Sequence, residues 1–164
     1  MSPEDPSALP GPANDARAAL LLVVGAAIVD DLEHPTRLLA ARRTEPPALA
    51  GGWELPGGKV DPGESPLSAL HREVREELGV RVRLGSHLPG PLPGATWAVG
   101  ERYEMLVWFA EVVEGVPAPI EDHDAVRWLG AAELYDVPWL PADLPIVDAL
   151  AARLGGAFRG SSKS

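Results

Sequence analysis

The chain has no cysteine, which excludes a disulfide framework, a thiolate zinc site and a cysteine nucleophile. That absence suits a reducing cytoplasm, the location expected here. Cations are scarce beside anions: 14 Lys+Arg against 24 Asp+Glu give a formal net charge of −10. A surface of that sign does not capture a nucleic-acid polymer or an anionic membrane by bulk electrostatics, so a polyanionic ligand needs a cationic mediator. Long hydrophobic runs are missing too. The longest, Ala18 to Val29, falls well short of the roughly 20 residues that span a bilayer. The segment before it carries Glu4, Asp5 and Asp15 where a secretory signal has a basic stretch. No internal repeat is visible, which argues against a solenoid or propeller.

What is present reads as one globular domain. The 164 residues are 46% hydrophobic and 23% charged, close to globular averages, and that length suits a single core. Residues 1–16, with Pro3, Pro6, Pro10 and Pro12, read as a disordered leader. Residues 17–156 form the domain, and 157–164 a flexible tail. Leu20 to Val29 reads as a buried strand, followed across a turn by Thr36 to Arg42, as in a hairpin. Arg43 to Gly52 is loop material. Ser65 as N-cap, Pro66 at the first helical position and Gly79 at the C-terminal cap predict a helix over 66–78. Beyond it, Val80 to Leu88, Tyr103 to Val113 and Val126 to Leu129 read as strands, with a loop from Pro89 to Gly100. A helix from Pro145 to Leu154 closes at Gly155-Gly156. The order predicts an α/β or α+β layered domain.

The helix at 66–78 carries the chemistry. At 100° per residue, Leu67, Leu70, Val74 and Leu78 form a core stripe, while Glu73, Glu76 and Glu77 share another face. Like charges at that spacing cost only about 0.2–0.5 kcal/mol a pair on an exposed helix, so three glutamates alone are equally a solvated face. The context points further: Glu64 precedes the helix, Arg72 can pair with Glu76, and Gly57-Gly58 lies just upstream as a loop open to close backbone approach. Clustered hard oxygens suit Mg²⁺, with Mn²⁺ as the substitute ion. Mg²⁺ is held by one or two carboxylates plus substrate phosphates, and so reconciles an acidic protein with an acidic substrate.

Gly58, Glu64 and then Arg72-Glu73-Val74-Arg75-Glu76-Glu77-Leu78-Gly79-Val80 resemble the Nudix box, G-x5-E-x7-R-E-U-x-E-E-x-G-U with U a bulky aliphatic, at every specified position. The resemblance implies the Nudix fold, a mixed β-sheet sandwiched between helices, and Mg²⁺-assisted hydrolysis of a nucleoside diphosphate linked to another group. By the same resemblance Glu76 and Glu77 match the principal metal ligands, Glu73 a further ligand or base, the Gly57 carbonyl a backbone ligand, and Arg72 the arginine that orients the glutamates. The stretch Leu38 to Arg43 leading to Trp53-Glu54-Leu55-Pro56-Gly57-Gly58-Lys59 is similar to the MutT-type branch, which acts on nucleoside triphosphates.

Outside the box the MutT-type resemblance leaves alternatives open. Arg42, Arg43 and Lys59 are phosphate contacts or exposed strand-end charges. Asp122, six residues before Trp128, matches an additional ligand or base, with Glu121 adjacent. His123 reads as a loop histidine, since no second histidine lies at zinc-ligand spacing. Asp143, in Trp139-Leu140-Pro141-Ala142-Asp143, matches the position that reads the base, or is a helix N-cap. Leu55 and Trp139 stack against a base or belong to the core. A carboxylate at 143 suits the exocyclic amine of cytosine and equally the N–H donors of oxidised guanine. The expectation is a nucleoside triphosphate pyrophosphohydrolase taking a small-molecule nucleotide, as monomer or homodimer, with CTP or dCTP ahead of 8-oxo-dGTP. A non-catalytic nucleotide sensor is the competing class. A Nudix isomerase would want cysteine chemistry, which the chain lacks.

Overall fold

The computed structural model describes residues 20–163, with side chains through residue 154. The expected leader at 1–16 lies outside the described residues. Strands β1 (Leu21–Ile28), β2 (Arg37–Arg43), β3 (Trp53–Glu54) and β4 (Gly57–Lys59) precede helix α1 (Pro66–Leu78). Strands β5 (Arg81–Leu88), β6 (Trp97–Val99), β7 (Tyr103–Glu114) and β8 (His123–Gly130) follow. Two short 3₁₀ turns, Ala131–Glu133 and Pro141–Asp143, lead to helix α2 (Leu144–Lys163).

A mixed sheet runs β4-β1-β7-β5, with β6 also on β7, and a smaller one runs β3-β2-β8. β1 pairs parallel with β7 and antiparallel with β4. The hairpin expected between β1 and β2 does not form: the two strands enter different sheets and are bridged at Val29–Leu38, beyond the end of β1. The reason lies in β1 itself, whose residues from Val23 to Ile28 are all buried, as in a central strand with a partner on each edge. Alternate side chains serve opposite faces. Val24, Ala26 and Ile28 pack with Ala69, Leu70, Val74 and Leu78 of α1; Ala27 and Val29 pack with Ile146, Val147 and Leu150 of α2. The mixed sheet therefore lies between the two helices.

Helix α1 occupies the expected residues. Ser65 accepts the Ser68 amide hydrogen at 3.1 Å, and Gly79, at φ 72, ends the helix while its N–H bonds Arg75 O. The predicted stripe needs one correction. Leu67 is 44% exposed while Ala69 is fully buried, because the buried face, Ala69, Leu70, Val74, Glu77 and Leu78, is centred near Leu70 and Glu77 and leaves Leu67 at its edge. Two other boundaries move. β6 lies inside the expected 89–100 loop, and α2 continues through Gly155-Gly156 to Lys163, so those glycines do not close the helix and residues 157–163 are helical backbone.

Candidate active site

The site forms where α1 crosses β4. At Gly57 a Cβ would lie 2.0 Å from Val24 O, and at Gly58 a Cβ would lie 2.3 Å from the Glu73 carboxyl carbon. Only glycine lets β4 lie this close to β1 and lets a carboxylate settle on the backbone. Glu77 Oε1 accepts the Gly57 amide hydrogen at 3.1 Å, so the helix glutamates are registered against the glycine pair.

Arg72 organises the acidic face. Its Nε and Nη2 donate to the two oxygens of Glu64 at 2.8 and 2.9 Å, the bidentate pairing that a planar guanidinium favours. Nη1 reaches Glu73 at 3.0 Å and Glu76 at 3.3 Å, and Nη2 donates to Lys59 O at 3.0 Å. The hydrogen bond from Arg72 holds Glu64 down to about 2. Burial raises Glu73 above the usual carboxylate range despite Arg72. Burial also pushes Glu77 up to about 8, against the opposing pull of His123 and the Gly57 N–H. Glu77 is only 9% exposed, whereas Glu76 faces solvent.

These groups suit a hard divalent ion. Glu73 and Glu77 are desolvated carboxylates: Glu73 shares the single Arg72 guanidinium with Glu64 and Glu76, Glu77 has no arginine or lysine partner among the described residues, and at Gly58 the Glu73 carboxylate occupies the space a Cβ would need. Among the described residues no three Asp, Glu or His side chains converge into a cage.

The remaining expected residues divide. Arg43 Nη1 donates to Glu54 Oε2 at 2.8 Å and its Nε to Glu45 O at 2.6 Å. Arg42 pairs with Asp124 at 2.7 Å and sits 5.8 Å over the Trp53 ring. Both arginines border a cavity of about 460 Å³, with Thr44, Trp53, Asp124 and Pro138. Lys59 is not drawn into the acidic group: its ammonium lies 5.7 Å over the Tyr103 ring and only its carbonyl meets Arg72. Leu55 and Trp139 are core residues, 2% and 7% exposed. Asp143 is 6% exposed and its Oδ2 accepts the Leu55 N–H at 3.0 Å. Burial pushes its pKa up to about 7, with Glu54 adding to the rise and the Leu55 N–H and Arg43 opposing.

Asp122 is exposed, at φ 61, with its carbonyl accepting the Thr44 N–H at 2.8 Å. Its neighbour turns inward instead. His123, expected as a loop histidine, is the first residue of β8 and 7% exposed. Its Nε2 lies 2.8 Å from Glu54 Oε2 and its Nδ1 3.0 Å from Glu121 O. Burial opposes a charge on the ring, but the hydrogen bond to Glu54 and the charges of Glu77 and Glu54 outweigh it and raise the pKa. Glu54, which by sequence either hydrogen-bonds near the metals or faces solvent, is half-buried and holds both Arg43 and His123, and His123 is the site residue that the sequence leaves without a role.

A NUDIX domain model matches residues 20–150, spanning β1 through the first half of α2. The chain belongs to the Nudix family. Over 136 residues it is 40% identical to a protein of Mycobacterium tuberculosis (strain ATCC 25618 / H37Rv) provisionally named 8-oxo-dGTP diphosphatase 2, covering 83% of this chain and 92% of that one. It is 33% identical to the CTP pyrophosphohydrolase of Escherichia coli (strain K12), over 80% of this chain and 93% of that one. Among solved structures, that of the E. coli ORF135 protein superposes at a TM-score of 0.62 with 32% identity, over 81% of this chain and 89% of that chain. The MutT NUDIX hydrolase of Burkholderia pseudomallei gives 0.59 and 31%, over 79% and 96%. This Nudix chain is accordingly a hydrolase of the pyrophosphohydrolase class. Nudix hydrolases generally use a divalent metal. Among the described residues no helix is long and apolar enough to cross a membrane.

Proposed function

We propose that this Nudix hydrolase converts a nucleoside triphosphate to the monophosphate and pyrophosphate in the cytoplasm, with Mg²⁺, and that cytidine nucleotides are its preferred substrates. One observation carries the base preference: Asp143 is buried, one of its oxygens holds the Leu55 N–H, and the other makes no hydrogen bond among the described residues. When ionised, a free carboxyl oxygen in a buried setting suits the exocyclic amine of cytosine. Such a site rejects bases lacking the matching donor more strongly than an apolar pocket can.

Glu76, Glu77 and the Gly57 carbonyl would hold the ion, with Glu73 as a further ligand. Bound there, it would lower the pKa of a water and neutralise charge on the phosphoryl oxygens. Glu73, raised by burial and steadied by Arg72, is suited to take the proton of the attacking water. Asp122 is the second carboxylate that an inward movement of its loop would bring to that task. Arg42 and Arg43 would meet the phosphates at the mouth of their cavity, with Lys59 at the β4 end. Attack at phosphorus breaks the bond to the pyrophosphoryl oxygen, so one water enters and two anions leave.

Oxidised guanine is the second reading. It is favoured by the 40% identical relative named as an 8-oxo-dGTP diphosphatase, because the same acceptor can meet the N–H donors of that base. Hydrolysis rates on CTP, dCTP, 5-methyl-dCTP, 8-oxo-dGTP, dGTP and ADP-ribose test the choice, in the wild type and in Asp143→Asn. The proposal expects the cytidine triphosphates to lead and Asp143→Asn to change the ratio of cytidine to oxidised-guanine activity more than the overall rate. A wild type that prefers 8-oxo-dGTP, or an equal loss on every substrate, contradicts it.

A further inference from the structure

The Nudix box does not account for a row of side chains that crosses the smaller sheet beside it. Glu54 lies on β3, Arg43 on β2 and His123 on β8, with Ala41 paired to Glu54 and Arg43 paired to His123. The β2–β8 register jumps between Arg42, which faces Ala125, and Arg43, which faces His123, so Asp124 is an extra residue on β8. An extra residue of this kind re-aims the side chain next to it. Asp124 goes out to Arg42 at 2.7 Å, and His123 goes in with its side chain fully buried.

The ring is then fixed at both ends, by Glu121 O at 3.0 Å and by Glu54 Oε2 at 2.8 Å. The same Glu54 oxygen takes Arg43 Nη1 at 2.8 Å. β3 is only two residues long, so its backbone alone constrains the Glu54 side chain little. Two donors from two other strands supply that constraint. Both hold Oε2, and Oε1 makes no hydrogen bond among the described residues.

We propose that His123 is a positioning residue: by gripping Oε2 of Glu54 it holds that carboxylate beside Glu77 with Oε1 free, so that the acidic group is arranged for a divalent ion and its waters. This rests on the reading of the site as a metal-dependent hydrolase. Partners that orient ligands from outside the metal's own shell are worth about 10–100-fold in metal affinity or activity, which sets the expected size of the effect.

The test is Mn²⁺ binding to the metal-free protein, followed by the loss of the free-ion EPR signal, alongside kcat and KM for a nucleoside triphosphate. His123→Phe fills the ring's space without a donor, and His123→Gln keeps an N–H able to reach Glu54. The inference expects His123→Phe to weaken Mn²⁺ binding about tenfold or more and to lower kcat with little change in KM. His123→Gln should retain most of the affinity. Glu54→Gln should weaken binding similarly, and the double variant His123→Phe/Glu54→Gln should be no weaker than either single one, because both remove the same contact. Wild-type affinity in a folded His123→Phe, equal losses in the Phe and Gln variants, or losses that multiply in the double variant overturn the inference. A wild type that neither binds Mn²⁺ nor hydrolyses nucleotides defeats the parent reading instead, and the two failures are distinct. Should His123→Phe not fold, the comparison of His123→Gln with Glu54→Gln decides: retained affinity in the first and loss in the second supports positioning, and equal affinity in both contradicts it.

Discussion

Glu77 Oε1 accepts the Gly57 amide hydrogen at 3.1 Å, joining the last turn of α1 to the backbone of β4. The contact fixes a buried carboxylate beside a backbone carbonyl and two other glutamates, and it sets what happens when charge and shape are separated at that position. Glu77→Gln keeps an oxygen to accept the Gly57 N–H but removes the anion. Turnover should fall by about two orders of magnitude or more, as expected for loss of a metal ligand. The thermal midpoint of the metal-free protein should hold or rise, since a desolvated charge is gone. Parallel rate and unfolding measurements check both halves; unchanged turnover would remove Glu77 from the metal site.

Arg72 grips Glu64 with two nitrogens and reaches Glu73 and Glu76 with the third. Arg72→Ala should lower kcat about 10–100-fold by releasing all three carboxylates. Arg72→Lys should recover little, because an ammonium cannot reproduce the planar fork. Full activity in the lysine variant would show that charge alone suffices.

Asp143 makes stability depend on pH. Its folded pKa of about 7 lies above the ordinary value of 3.8, so the folded state binds the proton more tightly than the unfolded one. The stabilisation from that proton is fully present below the unfolded pKa and is lost as pH rises through the folded pKa. Asp143→Asn keeps an acceptor for the Leu55 N–H and does not titrate. In urea unfolding the wild type should lose stability relative to Asp143→Asn between about pH 4 and pH 7. Parallel pH profiles for the two proteins would contradict the burial account.

Leu70 and Leu67 differ in burial, fully buried against 44% exposed. Leu70→Ala should cost about 2–5 kcal/mol, and Leu67→Ala about 0.5 kcal/mol or less. Equal losses in denaturant unfolding would restore Leu67 to the core stripe.

The acidic helix was readable from the chain because its signals are local. Ser65, Pro66 and Gly79 mark its ends, whereas the three glutamates that spacing puts on one face differ in depth, with Glu77 buried and Glu76 in solvent. Leu67 lies outside the core because hydrophobic periodicity centres the stripe on the leucines, whereas the packed face also takes in Ala69 and the charged Glu77. The β1–β2 pairing was misread for a related reason: closeness in sequence favours a hairpin, whereas a strand buried on both faces needs two partners, and β7 lies far along the chain. Gly155-Gly156 carried a C-cap signal that α2 does not obey. His123 was illegible for a third reason. Its burial depends on one extra residue in β8, and nothing in Glu121-Asp122-His123-Asp124 distinguishes the residue that turns in from those that stay out.

We propose that Glu73, Glu76 and Glu77 of α1 together direct water to a phosphorus so that pyrophosphate leaves. Product analysis of CTP hydrolysis, with Mg²⁺ and after its removal by chelation, in the wild type and in Glu77→Gln, tests this most directly. The wild type with Mg²⁺ should release CMP and pyrophosphate, neither should form after chelation, and the variant should be slower by about two orders of magnitude or more. Release of CDP and phosphate, or turnover indifferent to both the metal and Glu77, would contradict it.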